Sequence, residues 1–285
     1  MINRLKSSIR KHIVIIFYAF KCQTNFKFNM IMSIIGSFIF VIIKFCMWTA
    51  IYNVSQNTFE MTLYETLTYT VIMSTMNKIV TNKVELEIGS RVISGDIVVD
   101  LLRPMHYITY LYLKKLGTVL YTMVFACIPL LIASCLAFKI KLIANTYNIL
   151  FFGVSVCISF MMIFLFEFIL GMISFWTSQI YGISLIKEAI VSILAGITIP
   201  LSFYPDVLKE ICMLLPFQAM YYIPVVIYLN KDLESSFIQA FLIHKFQMSY
   251  TLGLIIEQTF WLVILMLFTI FVWRKAKKKL IIQGG

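Results

Sequence analysis

Six long apolar stretches dominate this chain and leave few folds open to it. Crossing the hydrocarbon of a bilayer takes roughly 20 apolar helical residues. With 61% of its 285 residues hydrophobic, the chain carries more apolar surface than a soluble core of that length can hide. Inside a membrane every backbone polar group must be bonded within the protein, which leaves helices or closed barrels. The stretches are long and continuous, unlike the short alternating strands of a barrel, so helices are expected. They fall at residues 30–51, 63–76, 117–138, 149–176, 182–202 and 250–273. The second carries Glu65 and several Thr and Ser residues, and needs helical neighbours or a cavity to shelter them. The fourth is overlong and must tilt or project beyond the membrane.

Basic residues outside the hydrocarbon set orientation. Arg4, Lys6, Arg10, Lys11, Lys21 and Lys27 precede the first stretch, with no acidic residue among them. Lys78, Lys83, Arg91, Arg103, Lys114 and Lys115 lie between the second and third. Arg274, Lys275, Lys277, Lys278 and Lys279 follow the last, and Lys187 joins them from the fourth connection. The opposite side holds only Lys139, Lys141, Lys209, Lys231 and Lys245. An even number of spans with basic ends places both termini in the cytoplasm of a multi-pass cell-membrane protein. The net charge of +11 then reads as topology and contact with anionic membrane lipids. No soluble basic face exists for nucleic acid.

Leu5, Ile9, Ile13, Ile16, Phe17 and Phe20 recur at helical spacing opposite Arg4, Lys6, Arg10 and Lys11. Residues 1–29 therefore read as an amphipathic helix in the cytoplasmic interface, or as a plain basic anchor. They do not read as a signal peptide, because Phe, Lys and Gln stand where small cleavage-site residues belong. The cysteines form no Cys-x-x-Cys pair and His12, His106 and His244 are far apart, so no metal site is expected.

Two soluble segments are patterned. In residues 77–116, Val84, Leu86, Ile88, Val92 and Ile93 alternate with Glu85, Glu87 and Arg91. Gly95 suits a left-handed helix end, Asp96 suits the cap of a second short helix, and Pro104 leads into the third span. Such helices, charges outward, either dock into a partner or merely cover the bundle. On the other side, Pro200, Pro205, Pro216 and Pro224 break residues 203–229 into short apolar helices. With Phe203, Tyr204, Phe217, Tyr221 and Tyr222, these read as helices dipping back into the outer leaflet or as an aromatic interfacial cap.

These pieces, in this order, resemble the ABC type-2 (daunorubicin-resistance-like) permease subunits of ATP-binding-cassette exporters. The resemblance rests on Ile93-Ser94-Gly95-Asp96-Ile97, Leu101-Leu102-Arg103-Pro104, Ile199-Pro200-Leu201-Ser202-Phe203-Tyr204-Pro205, Leu215-Pro216-Phe217 with Pro224, and the closing Gln283-Gly284-Gly285. Gly95 is followed by Asp96 where relatives often carry Glu. The resemblance implies an all-α integral membrane fold: one permease domain, residues 1–285, with six transmembrane helices, an N-terminal elbow helix, cytoplasmic coupling helices and outer re-entrant helices. It further implies two permeases, alike or different, with separate ABC ATPase subunits as partners. ATPase coupling would fall to Glu85, Glu87, Arg91, Ser94, Gly95 and Asp96. The external gate would fall to Pro200, Phe203, Tyr204, Pro205, Pro216 and Phe217. No Gly-x-x-x-x-Gly-Lys-Ser/Thr loop occurs. ATP and Mg would therefore be bound by the partner, with no cofactor and no catalytic residue in this chain.

Ionisable residues within spans default to function. Lys44 and Glu257 each lie seven residues from an outer span end, about 10 Å deep, and are expected to pair or to share a polar cavity, unless Lys44 snorkels outward. Glu167 is within reach of Lys187, which otherwise sits among lipid head groups. Met161, Met162, Met172 and Phe175 are candidates for an apolar cavity lining. The leading expectation is the permease half of an ATP-driven exporter of an amphipathic drug, peptide or lipid-like cargo. The alternative is an ion- or proton-coupled secondary transporter using Lys44, Glu167 and Glu257. An intramembrane enzyme would need clustered His, Asp or Ser, and none is present.

Overall fold

The computed structural model describes residues 2–54, 60–139, 146–177, 179–231 and 249–283, and the regular structure among them is helical throughout. Helix α1 (Ile2–Gln23) passes through a 3-10 turn at Thr24–Phe26 straight into α2 (Lys27–Val54). The apolar run from Ile9 to Val54 is 46 residues long. At about 1.5 Å per residue it spans roughly 69 Å, about twice the thickness of a hydrocarbon core. The N-terminal helix is thus continuous with the first span and packs along α6 (Tyr107–Thr122), burying Ala19 and setting Phe20 edge-on to Tyr121.

Among the described residues four helical runs are long and apolar enough to cross a membrane: Ile9–Val54, Tyr107–Phe138, Tyr147–Phe175 and Tyr250–Lys279. A fifth arises if α10 (Asp206–Leu214) and α11 (Pro216–Leu229), bent by 101°, form one broken span. Six were expected. The shortfall lies in α3 (Leu63–Val80) and α9 (Ile180–Leu194), which are short or too polar by composition.

Helix α3 nevertheless sits deep in the bundle. Its start is a capping box, in which Thr62 Oγ1 accepts from Glu65 N–H and Thr62 N–H donates to Glu65 Oε2 at 2.7 Å. Along it the hydroxyls of Thr66, Thr68, Thr70, Ser74 and Thr75 each donate to the carbonyl four residues earlier. This self-satisfaction lets a Thr-rich helix be buried without leaving polar groups unpaired.

The next two helices, α4 (Val84–Ser94) and α5 (Ile97–Leu101), form the short segment expected on the cytoplasmic side. Gly95 closes α4 at φ 81°, a left-handed backbone that a side chain would strain. Asp96 stands at the start of α5 but caps nothing; its carboxylate instead reaches Arg91. A π-helical turn at Met123–Cys127 joins α6 to α7 (Ile128–Phe138) just ahead of Pro129, where a missing N–H interrupts the ladder.

The core forms where α8 (Thr146–Met172) meets α3, α4, α11 and α12 (Tyr250–Gln283), around Tyr69, Met73, Met162, Phe164, Phe168 and Met172. Met162, Met172 and Phe175 are buried in this core, which assigns them to packing. Helix α11 is buried from Gln218 to Tyr228, and Pro224 lies inside it without ending it. Ile35, Ile39 and Ile43 of α2 and Val263, Leu267 and Phe271 of α12 remain exposed, an arrangement suited to lipid.

Candidate functional site

Lys187 of α9 stands between two carboxylates from different elements. Its Nζ lies 2.7 Å from Glu85 Oε1 of α4 and 3.0 Å from Glu167 Oε1 of α8. All three are withdrawn from solvent, with side-chain exposures of 6%, 0% and 1%. Ser184 Oγ donates to the same Glu85 oxygen at 2.6 Å, whereas Glu85 Oε2 has no hydrogen-bond partner among the described residues.

Glu167 does a second task. Lys83, in a left-handed conformation, gives α4 no side-chain cap. Glu167 replaces it: Oε2 accepts from Val84 N–H at 3.0 Å and Oε1 from Asn82 N–H at 3.4 Å. A carboxylate here complements the unpaired amides and positive end of a helix N-terminus. The start of the short helix α4 is thus held by a residue of α8, a helix long and apolar enough to span a membrane.

A second clamp holds α4 from α6. Glu87 meets Lys114 Nζ at 2.5 Å and Lys115 Nζ at 2.8 Å, and Lys115 also donates to Asn82 O. Burial pushes the Glu87 carboxyl up, but the two ammonium charges outweigh it and hold the group down at about 2. Sequence reasoning expects the charges of this segment to face outward. Glu85 and Glu87 instead turn inward, because Val84, Glu85, Ile88 and Gly89 form one buried face.

The exposed part lies beyond. Ser94, Gly95 and Asp96 are open to solvent, and so are Ile93, Val98, Val99 and Leu102, the last 80% exposed. Beneath this apolar tip, Arg91 reaches Asp96 and Asp100, and Arg103 pairs with Asp100 at 2.9 Å. These pairs brace the turn between α4 and α5.

Beside the Glu167–Lys187 contact lies a cavity of about 400 Å³, also lined by Asn77, Thr81, Met220 and Tyr221. At its rim Lys83 pairs with Glu188 at 2.9 Å, and the Tyr221 hydroxyl lies 3.0 Å from Thr81 Oγ1.

Lys44 and Glu257 are not brought together. Lys44 Nζ donates to Ile197 O at 2.9 Å, while Glu257 Oε1 accepts from Gln218 Nε2 at 2.8 Å. Lys44 does not snorkel either, being only 6% exposed. Lys44, Glu167 and Glu257 therefore occupy three different settings and make no common relay. Of the proline-rich residues, Pro200 opens the 3-10 turn Leu201–Phe203, Phe203 packs on Trp48 of α2, and Tyr204 donates to Ile193 O. Pro205 precedes α10, Pro216 starts α11, and Phe217 stands edge-on to Phe166 of α8. Lys141 and Lys245, and the closing Gly284-Gly285, lie outside the described residues.

A polar cluster passed over in the sequence joins α8, α11 and α12. Gln258 accepts from Ser155 through Oε1, and its amide group donates to Ser159 and Ala219 O. The four-residue spacing of Ser155 and Ser159 within an apolar helix is the signal that marks it.

The described residues thus form an all-helical arrangement with several long apolar helices, in which a buried charge cluster ties the short helix α4 to α8 and α9. The chain belongs to the ABC-2 family of transporter proteins, whose family model matches residues 38–284. No curated protein and no solved structure matched it.

Proposed function

We propose that this chain is the permease subunit of an ATP-driven exporter that moves an amphipathic cargo out of the cytoplasm or inner leaflet. The single observation that carries the reading is the bridge Glu85–Lys187–Glu167, which makes α4 mechanically continuous with α8 and α9. A buried ion cluster resists being pulled apart, because each bare charge would be left in low dielectric. A push on α4 is thus delivered to the spans instead of being absorbed by the loop.

The source of the push is a separate ABC ATPase that binds ATP and Mg and docks on the apolar tip of Ile93, Val98, Val99 and Leu102. In this reading α3 and α9 complete a six-span bundle with both termini cytoplasmic, and α1 runs along the inner interface as an elbow. Two such permeases enclose the pathway, and α10–α11 with Pro200, Phe203, Tyr204 and Pro205 close its outer end. Crosslinking from Ser94→Cys tests the docking. An ATP-hydrolysing partner should be captured there and not from Val207→Cys on α10; capture from neither position removes the proposal.

A further inference from the structure

Lys44 and Lys78 point into one groove that contains no acidic residue. The groove, about 360 Å³, runs between α2 and α3 and is lined by Ser33, Gly36, Ser37, Phe40 and Lys44 on one side and Ser74, Asn77 and Lys78 on the other, with Ile197 at one end. The α2 residues recur at helical spacing, so they form one stripe along that helix. Space is real at its centre, since a Cβ added to Gly36 would meet nothing within 4 Å.

Among the described residues no carboxylate meets either charge. Lys78 Nζ donates to Ser33 Oγ at 2.7 Å and Ser33 O at 3.2 Å. Among the described residues Lys44 Nζ bonds the Ile197 carbonyl and stands 5.0 Å over the Phe40 ring. Neither forms an ion pair among the described residues, unlike Lys83 and Lys187 in the adjoining cavity, which shares Asn77 and Ile197. An ammonium withdrawn from water is normally matched by a carboxylate or another anion. Among the described residues none is supplied to the buried Lys44 or to the half-buried Lys78, yet a cavity with hydroxyl and amide donors lies beside both.

Ser33 and Lys44 are eleven residues apart, about 16 Å along α2. The groove therefore offers cationic positions at two depths of the membrane. Ile35, Ile39 and Ile43 lie exposed on the same helix. A polar slot flanked by apolar surface takes a molecule with a charged head and a hydrocarbon tail.

We propose that the Lys44–Lys78 groove binds the anionic head, phosphate or carboxylate, of an amphiphile whose tail lies along α2. This deepens the permease reading by naming the charge class of what enters from the membrane. The test is binding of dodecyl phosphate to the purified full chain, measured without ATP or ATPase. Wild type should bind it in preference to dodecyltrimethylammonium. Lys44→Gln with Lys78→Gln should weaken binding by about tenfold or more, in line with the loss of charge-assisted hydrogen bonds. Lys44→Arg with Lys78→Arg should retain it.

Equal binding of the cationic amphiphile to wild type overturns the proposal without recourse to any variant, and so does unchanged binding by the double Gln variant. Inorganic phosphate that binds as tightly as dodecyl phosphate leaves an anion site but overturns the amphiphile. Because no ATPase is present, failure here leaves the ATP-driven reading standing, and failure to find an ATPase leaves the binding result standing.

Discussion

Val84 N–H donates to Glu167 Oε2 at 3.0 Å, so the first turn of the short helix α4 is capped by a carboxylate from the long apolar helix α8. The same carboxylate group meets Lys187, which in turn meets Glu85 one residue past that amide. Backbone and side chain of α4 are thus fixed to α8 and α9 over a single helical turn, and the consequences are measurable.

Lys187→Met should be strongly destabilising, because it strands two buried carboxylates. The expected loss is about 3–5 kcal/mol, read from thermal or denaturant unfolding in detergent. Adding Glu85→Gln should recover part of that loss by removing one stranded charge. Penalties that simply add would show that the three groups do not act as a cluster.

Glu87 sets a pH dependence of known sign. Its carboxyl titrates near 2 in the folded chain against an ordinary value of 4.5. A depressed acid stabilises the fold above its unfolded value and loses that contribution as pH falls through the folded one. The α4–α6 clamp should hold from about pH 4.5 through neutral pH and weaken between about 4.5 and 2. Lys114 is 37% exposed, which screens part of the interaction, so Glu87→Gln should cost about 2 kcal/mol at neutral pH. It should also flatten the stability curve below pH 4.5. A variant that tracks wild type through that range would remove the clamp.

Gly171→Val separates packing from charge. A Cβ at Gly171 of α8 would lie 2.8 Å from Ile88 Cδ1 and 3.2 Å from the Glu85 backbone. The bulkier side chain should wedge α4 away at a cost of about 1–3 kcal/mol. Hydrogen exchange should rise in α4 and remain as in wild type in α11. Uniform protection in both helices would mean that α4 does not rest on this contact.

Much of this arrangement was legible in the sequence. Gly95 marked the end of α4, and Glu167 with Lys187 were in reach because one span end and the next share a depth. What failed was direction around an axis. Equal depth put Lys44 and Glu257 at one level, yet α2 turns Lys44 to Ile197 and α12 turns Glu257 to Gln218. Its alternation with apolar residues, a strand-like count, points Glu85 outward. The helical count places it with Ile88 and Gly89 on the buried face. Pro224 was read as a breaker, but a proline costs one bond and a local clash, and the packing around α11 holds the helix through it.

ATP hydrolysis that co-purifies with this chain from its own membranes is the measurement closest to the centre. Val99→Asp, on the 63%-exposed tip residue, should strip the ATPase away while leaving the unfolding temperature unchanged. Val207→Asp, on the equally open α10, should leave it bound. No ATPase with the wild-type chain, or equal amounts with all three, would contradict a permease driven through α4.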